Sequence, residues 1–222
     1  MKKYIHAIIL ARGNSKEIKN KNLKIIHGKP LIYWSIKFFL KNKYVFKTWV
    51  SSDNSKILQL SKKYGANIIL RPKKLATATA TSDSAWIHSV KEIKKKFNID
   101  IIIGVQPTSP IRDQKDINQA IKKFNKYKFD SMFSANLPND SFYWKTNKNK
   151  TSPLYNYKRR PRRQDMDIKV TENGSFYIFK SNNFLKYKNR LFGKIGYHLI
   201  DKFKGIQIDS YEDFNFVKKI FK

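Results

Sequence analysis

The sequence predicts an α/β protein with a mostly parallel sheet covered by helices on both faces. Short β-branched runs alternate with segments whose apolar residues recur at helical 3–4 spacing, the pattern of βαβ units. At least one run, Ile99–Gln106, reads as a fully buried strand, its centre Ile101–Val105 without a polar side chain, as a strand covered on both faces requires. Turn and cap residues separate the two kinds of segment at regular intervals.

Each element follows in order. Ile5–Ala11 is the first strand. Pro30–Lys41 is a helix begun by a proline whose missing N–H costs nothing there. Thr48–Asp53 is a strand, and Asn54 caps a helix to Tyr64 that Gly65 ends. Asn67–Arg71 is a strand stopped by Pro72. Ser82–Phe97 is a helix, and Ile99–Gln106 is a strand stopped by Pro107 and Pro110. Asp113–Tyr127 is a helix leading to strand Asp130–Ala135. Residues 138–170 break the rhythm: they are polar, rich in Asn, Lys and Tyr, and hold the dense cluster Arg159, Arg160, Arg162 and Arg163. So long a connection without regular structure is uncommon unless it is functional or packs on a partner. Strand Gly174–Phe179, a helical piece Ser181–Tyr187, strand Gly205–Asp209 and helix Tyr211–Phe221 complete the chain. The expectation is one domain over 1–222 with 138–170 protruding from it.

Composition sets limits on chemistry. A chain of 222 residues with 41% hydrophobic and 14% aromatic residues can bury a core without staples. It has no cysteine, which excludes disulfides, zinc ribbons, iron–sulfur clusters and thiol catalysis. The four histidines show no paired metal-ligand spacing. The basic start MKKYIHAIILARG holds an apolar stretch of about seven residues with no small-residue cleavage site after it, and no run nears the ~20 apolar residues of a membrane helix. A soluble, cytoplasmic protein with no membrane partner is expected.

The net charge of +31 invites a polyanion reading, and basic nucleic-acid binding on an α/β scaffold is the rival hypothesis. Of the 47 basic residues, however, 39 are Lys and 8 are Arg, with the lysines spread over the whole chain. Scattered lysine speaks to solubility rather than to a binding stripe, so no nucleic-acid partner is expected.

Localised chemistry begins where the first strand runs into Leu10-Ala11-Arg12-Gly13-Asn14-Ser15-Lys16, followed by Lys19, Lys21 and Asn22. Glycine and small polar residues let backbone N–H groups approach phosphate oxygens, and the cations neutralise charge on a departing pyrophosphate. Neither GxxxxGK[ST] nor GxGxxG is present. By itself this stretch reads equally as an exposed turn.

An ordered series extends it: Ala11-Arg12-Gly13-x-Ser15-Lys16-x₄-Lys21-Asn22, Arg71-Pro72-x-x-Leu75-Ala76, Gln106-Pro107-Thr108-Ser109-Pro110-x-Arg112, Arg162-Arg163-Gln164-Asp165, Glu172-Asn173-Gly174 and Ile208-Asp209-Ser210-x-Glu212-Asp213. In this order, over nearly the whole chain, the series resembles the acylneuraminate cytidylyltransferases, the CMP-sialic acid synthetases. The resemblance implies a three-layer αβα, Rossmann-like nucleotidyltransferase fold with 138–170 as a small dimerisation arm. It implies transfer of CMP from CTP to a nine-carbon 2-keto sugar acid of the N-acetylneuraminate, legionaminate or pseudaminate type, with release of pyrophosphate, in lipopolysaccharide or capsule biosynthesis. A related enzyme activating 3-deoxy-manno-octulosonate is a nearby alternative.

Site roles follow from the resemblance residue by residue. Arg12 and Lys21 match positions that meet the phosphates and the leaving pyrophosphate, in a CTP-binding loop of Ala11, Arg12, Gly13, Ser15, Lys16, Lys21 and Asn22. Arg71 matches the residue facing cytosine, with Ala80, Thr81 and Ser82 beside the base. Gln106, Thr108, Ser109, Arg163 and Tyr177 match the sugar side, Arg163 pairing with the sugar carboxylate as a planar fork should. Asn173-Gly174 reads equally as a hairpin turn. Asp209 matches the carboxylate that holds Mg²⁺. Arginine persists at 12, 71, 112 and 163 in a lysine-rich chain, which argues that geometry holds it there. Two departures stand out. Gln207 occupies the place of a usual second aspartate, and Glu17 stands where glycine is usual.

Overall fold

The structure is a computed structural model that describes residues 3–15, 17–138, 142–148 and 150–221; the Lys16 assignment lies outside them, as does the side chain of Arg163. Its centre is a seven-stranded sheet in the order β11-β7-β10-β6-β1-β4-β5. The strands are β1 (Ile5–Leu10), β4 (Val45–Ser52), β5 (Asn67–Leu70), β6 (Ile101–Val105), β7 (Ser131–Asn136), β10 (Thr171–Lys180) and β11 (Ile195–Leu199). Short pairs stand apart from it: β2 (Ile25–Ile26) with β3 (Lys29–Pro30), and β8 (Trp144–Asn147) with β9 (Lys150–Pro153). β1 lies parallel between β4 and β6, β5 continues parallel beyond β4, and β11 is parallel to β7. Only β10 runs against its neighbours, β6 and β7.

The apolar runs alternate their faces with period two, as a covered sheet requires. Ile5, Ala7 and Ile9 of β1 and Ile101, Ile103 and Val105 of β6 point into one core, with Ile32, Ile36 and Phe39 of α1 (Leu31–Leu40), Ile57 of α2 (Ser55–Lys63) and Ile117, Ile121 and Phe124 of α4 (Gln114–Lys126). Ile8 and Ile102 point the other way, into a core with Trp86, Val90 and Ile93 of α3 (Ser82–Lys94) and Phe184 of α5 (Ser181–Tyr187). The result is the expected αβα layering. A third, smaller core joins Ile18, Ile26 and Leu31 to Ile208 and to Phe214 and Val217 of α6 (Tyr211–Ile220).

Local signals act as the sequence indicates. Asn54 accepts from the Ile57 N–H at 3.2 Å, Thr81 from the Ser84 N–H at 3.1 Å and Asp113 from the Lys115 N–H at 2.8 Å. Gly65, at φ +94°, ends α2, with the Gly65 and Ala66 amides donating back to Lys62 and Ser61 carbonyls. Gly104 lies under Trp86, where a Cβ would come within 2.8 Å of the indole.

Three expectations need correction. Gly205–Asp209 is not a strand: Lys202–Gly205 is a 3₁₀ turn and the following residues pair with no strand, although Ile208 N–H donates to Thr108 O at 2.8 Å. The strand is instead Ile195–Leu199, obscured in sequence by Gly196, whose bare Cα lets the Phe129 ring pack where a Cβ would come within 2.6 Å. Residues 138–170 are not structureless, since they hold the β8–β9 pair and a 3₁₀ turn at Arg163–Asp165. Asn173-Gly174 is not a hairpin turn but an irregularity inside β10: Gly174 has φ +68°, and the register against β7 shifts between Glu172 and Tyr177.

His6 on β1 is buried neutral: its Nδ1 accepts from Trp49 Nε1 at 2.9 Å, so Nε2 carries the proton to Asn98 O at 3.1 Å. Burial pulls its pKa down from 6.5 to about 4, and burial shifts His88 and His198 in the same direction. A depressed histidine binds its proton in the unfolded chain first, so stability falls as pH drops from 6.5 towards 4. Thermal melts across this window should show that loss, with His6 contributing about 3 kcal/mol. A His6→Gln variant, able to accept from Trp49 and donate to Asn98, should show a shallower pH dependence.

Candidate active site

The sheet order reverses around β1: β4 and β5 lie on one side and β6 on the other. Loops leaving the carboxyl ends of β1 and β6 therefore part and leave a crevice, the usual ligand site of an open α/β sheet. A cleft of about 270 Å³ opens there, lined by Arg12, Ser15, Lys21, Asn22, Arg71, Ala80, Thr81, Ser82, Gln106, Thr108 and Asp209, with Leu10, Leu75, Ala76, Thr77, Ala85 and Pro107. Eleven sequence positions spread from 12 to 209 are thus brought to one cleft.

The loop after β1 is held from behind. Ala11 N–H donates to Ser51 O at 3.0 Å, and Gly13 N–H donates to Asp53 Oδ1 at 2.9 Å. Asn22 Nδ2 donates to Arg12 O at 3.0 Å, turning the basic loop back on itself. Gly13 passes so near α2 that a Cβ would lie 2.9 Å from Asn54 Cβ. Ala11 and Gly13 thus serve through their backbones and do not themselves line the cleft. Glu17 is exposed and does not line it either.

Arg71 enters from the end of β5 and is 5% exposed. Its Nε donates to Ser51 Oγ at 3.1 Å and its Nη2 to Ser51 O at 2.6 Å. Burial pulls its pKa down to about 10; nearby Arg12 acts in the same sense and Asp53 opposes both. It is a fixed cation at the back of the cleft. Thr77–Ser82 form the facing wall, where Thr77 Oγ1 accepts from Ala80 N–H at 3.2 Å and Thr81 caps α3. Arg12 Nη1 reaches across to Thr77 O at 3.4 Å.

The opposite wall comes from β6. Gln106 and Thr108 line the cleft, and Thr108 Oγ1 is buried with no partner among the described residues. Ser109 is fully buried behind them, its hydroxyl likewise unpartnered. Lys21 Nζ donates to Ile208 O at 2.7 Å and to Asp209 Oδ1 at 3.1 Å; its side chain is 12% exposed and that of Asp209 67%. Asp213 is a cap: its Oδ2 accepts from Asp209 N–H at 2.9 Å and Ser210 N–H at 2.7 Å in a capping box. A second cavity of about 520 Å³ shares Asp209 with the cleft and is lined by Asn136, Tyr143, Glu172, Asn173, Lys202 and Gln207 among others.

Gln207 does not turn towards Asp209. Its Nε2 donates to Asn173 O at 2.6 Å, beneath the Gly174 bulge. Among the described residues no group of three or more metal-ligating side chains forms. One open carboxylate beside a phosphate-sized cleft fits a hard divalent cation shared with substrate oxygens; it does not fit a protein cage.

One sugar-side assignment, Tyr177, lies elsewhere. Tyr177 is 3% exposed, packed edge-on to Trp86, its hydroxyl donating to Glu172 and the Arg190 guanidinium 4.8 Å from its ring centroid. It does not line the cleft, and burial with the Glu172 bond pushes its phenol pKa well up. Arg163 lies on the 3₁₀ turn of the excursion, with its side chain outside the described set. Sequence reasoning passed over Asp53, Ser51 and Thr77. The signal for the first two was present in Ser51-Ser52-Asp53, polar residues closing a buried strand at its carboxyl end.

Among curated proteins, the chain is 33% identical over 184 residues to N-acylneuraminate cytidylyltransferase A of Danio rerio, covering 80% of this chain and 42% of that protein. It thus spans about two fifths of that relative's length. It is 31% identical over 229 residues to post-translational flagellin modification protein B of Campylobacter coli, covering 96% of this chain and 93% of the relative. The solved structure of CMP:2-keto-3-deoxy-manno-octonic acid synthetase complexed with CTP superposes with a TM-score of 0.73 at 15% identity, covering 98% of each chain, a likeness of fold. A family model described as cytidylyltransferase matches residues 6–219. With its crevice at the strand ends and its basic first loop, the chain belongs to the cytidylyltransferase family.

Proposed function

We propose that this protein transfers CMP from CTP to the anomeric hydroxyl of N-acetylneuraminate or a related nine-carbon 2-keto sugar acid, releasing pyrophosphate. The observation that carries the reading is the convergence of Arg12, Lys21 and Arg71 with Thr81, Ser82, Gln106, Thr108 and Asp209 on one cleft. Three cations against one lining carboxylate suit a nucleoside triphosphate. The relatives named for N-acylneuraminate support the choice of acceptor.

In this reading Arg71, pinned to Ser51, offers its remaining donors to the O2/N3 side of cytosine, which favours cytosine over uracil. Backbone and hydroxyl groups of Ala80–Ser82 meet the base. Ser15, which lines the cleft, approaches the phosphates through its hydroxyl and backbone, with Gly13 holding the loop from behind. Arg12 and Lys21 stabilise charge on the departing pyrophosphate, an electrostatic contribution made before the reaction begins. Gln106 and Thr108 turn towards the acceptor, the neighbouring cavity beyond Asp209 accommodates its body, and Arg163 takes its carboxylate. Asp209 would hold Mg²⁺ together with phosphate oxygens, and Lys21 would then exchange the carboxylate for a phosphate. When bound, the cation supplies charge neutralisation on the triphosphate. Catalysis rests on in-line positioning rather than on a dedicated side-chain base.

The excursion at 138–170 is read as a dimerisation arm. Tyr143, Trp144, Leu154, Tyr157 and Ile168 are exposed on it, more apolar surface than one short hairpin retains without a partner. On this reading the protein works in the cytoplasm; among the described residues no helix is long and apolar enough to cross a membrane.

CTP, Mg²⁺ and a panel of nonulosonic acids should give pyrophosphate in a coupled assay, and silence with every sugar would overturn the reading. Arg12→Ala should lower kcat/KM by about 10²–10³ with the fold intact by circular dichroism. Gly13→Ala forces its new methyl against Asn54 and should weaken CTP binding in calorimetry by roughly tenfold, with partial recovery in Gly13→Ala/Asn54→Gly. Light scattering should return twice the chain mass; a monomer would remove the arm assignment.

A further inference from the structure

Arg112 lies outside the nucleotide cleft and is half-buried, its guanidinium packed inward where α1, the loop after β6 and β10 meet. Nη1 donates to Ser35 Oγ at 2.9 Å, and Nη2 to both Gln106 O at 2.6 Å and Ser175 O at 3.0 Å. The guanidinium carbon is 5.9 Å from the Phe39 ring centroid. No carboxylate pairs with it among the described residues, and its Nε has no partner there. Burial pulls its pKa below the ordinary arginine value, and it remains cationic at neutral pH.

A cation removed from water without a counter-charge is costly, and an apolar side chain of similar volume would pack such a site at less cost. Ion pairing therefore gives no reason for arginine here. Lysine is the default cation of this chain, yet lysine offers one compact head and cannot reach three acceptors in fixed, planar directions. What the fork does is join two backbones that face different cavities. Gln106 stands on the wall of the nucleotide cleft. Ser175 directly follows the left-handed Gly174, and Asn173 on its other side lines the cavity beyond Asp209. Gln207 holds that same bulge from the outside through Asn173 O.

We propose that Arg112 is a positioning residue that sets the spacing between the Gln106 wall and the Asn173–Ser175 bulge, and so aligns the sugar acid against the nucleotide. This rests on the cytidylyltransferase reading of the cleft. Its signature is asymmetric, because the CTP-side anchors Asp53, Ser51 and Asn22 do not touch Arg112. In Arg112→Lys and Arg112→Met, CTP affinity should stay within about twofold. The acceptor KM should rise and kcat fall, by about tenfold for Lys and about a hundredfold for Met, the scale of an ångström-sized misplacement.

Hydrogen–deuterium exchange read by mass spectrometry should show faster exchange confined to 104–110 and 172–178, with β4 and α3 unchanged. Unaltered acceptor kinetics with unaltered local exchange would overturn the proposal. So would a uniform rise in exchange with CTP and acceptor parameters shifting together, the mark of general destabilisation. If Arg112→Met does not fold, Arg112→Lys, which retains the charge and most of the stem, decides alone. If the unmodified protein makes no product from any sugar acid, the functional reading fails while the exchange measurement still judges Arg112.

Discussion

The loop at residues 11–13 is held by hydrogen bonds that its own sequence does not supply. Ala11 extends the sheet by one bond to Ser51, and Gly13 then gives its N–H to Asp53 at 2.9 Å. That one contact decides where the chain leaves β1 and therefore where Arg12, Ser15 and Lys21 can reach. β4 supplies both anchors, and its Ser51 also fixes Arg71 through two bonds. A single strand end thus orients the cations at the front and at the back of the cleft. It can do so because β1 lies between β4 and β6 in the sheet, so that loops diverge on either side of it.

Charge at the site is arranged rather than abundant. Most of the net +31 is lysine spread along the chain. The few cations that face the cleft are restrained by backbone carbonyls and by hydroxyls, with Asp209 the one lining carboxylate that pairs with any of them. A restrained cation costs less reorganisation when an anion arrives than a free surface lysine does. Lys21 shares its charge with Asp209, so the two hold each other in place across the mouth of the cleft. Arg71, buried, and Arg112, half-buried, are the most firmly held arginines described. Each is held by a planar fork that lysine could not imitate, which is the physical content of arginine persisting in this composition.

How far the fold was legible can be read from particular elements. Strands covered on both faces announced themselves, because Ile101–Val105 is apolar throughout and Ile5–Leu10 is so except for His6. The helix after Asn54 was equally plain, since that residue caps it as read, and Thr81, Asp113 and Ser210 act in the same way on amides two to three residues away. The edge was not legible. IGYHL at 195–199 carries a glycine that only the Phe129 ring explains, and GIQID at 205–209 has strand-like composition but no strand beside it. Edge pairing depends on which segment arrives next to β7, and no local pattern records that.

The site divides along the same line. Sequence alone determined which residue types stand at the strand ends: the Arg12–Asn22 loop, Arg71, the Gln106–Ser109 turn and Asp209. Those choices follow from short-range chemistry, and each is visible in a few consecutive letters. Only the tertiary structure decided that Tyr177 packs under Arg190 with its hydroxyl on Glu172, that Gln207 braces a bulge instead of facing Asp209, and that Asp53 and Arg112 support the cleft from outside it. These are contacts between residues 5 to 77 positions apart. Their energy depends on direction and distance in space, which spacing along the chain does not carry.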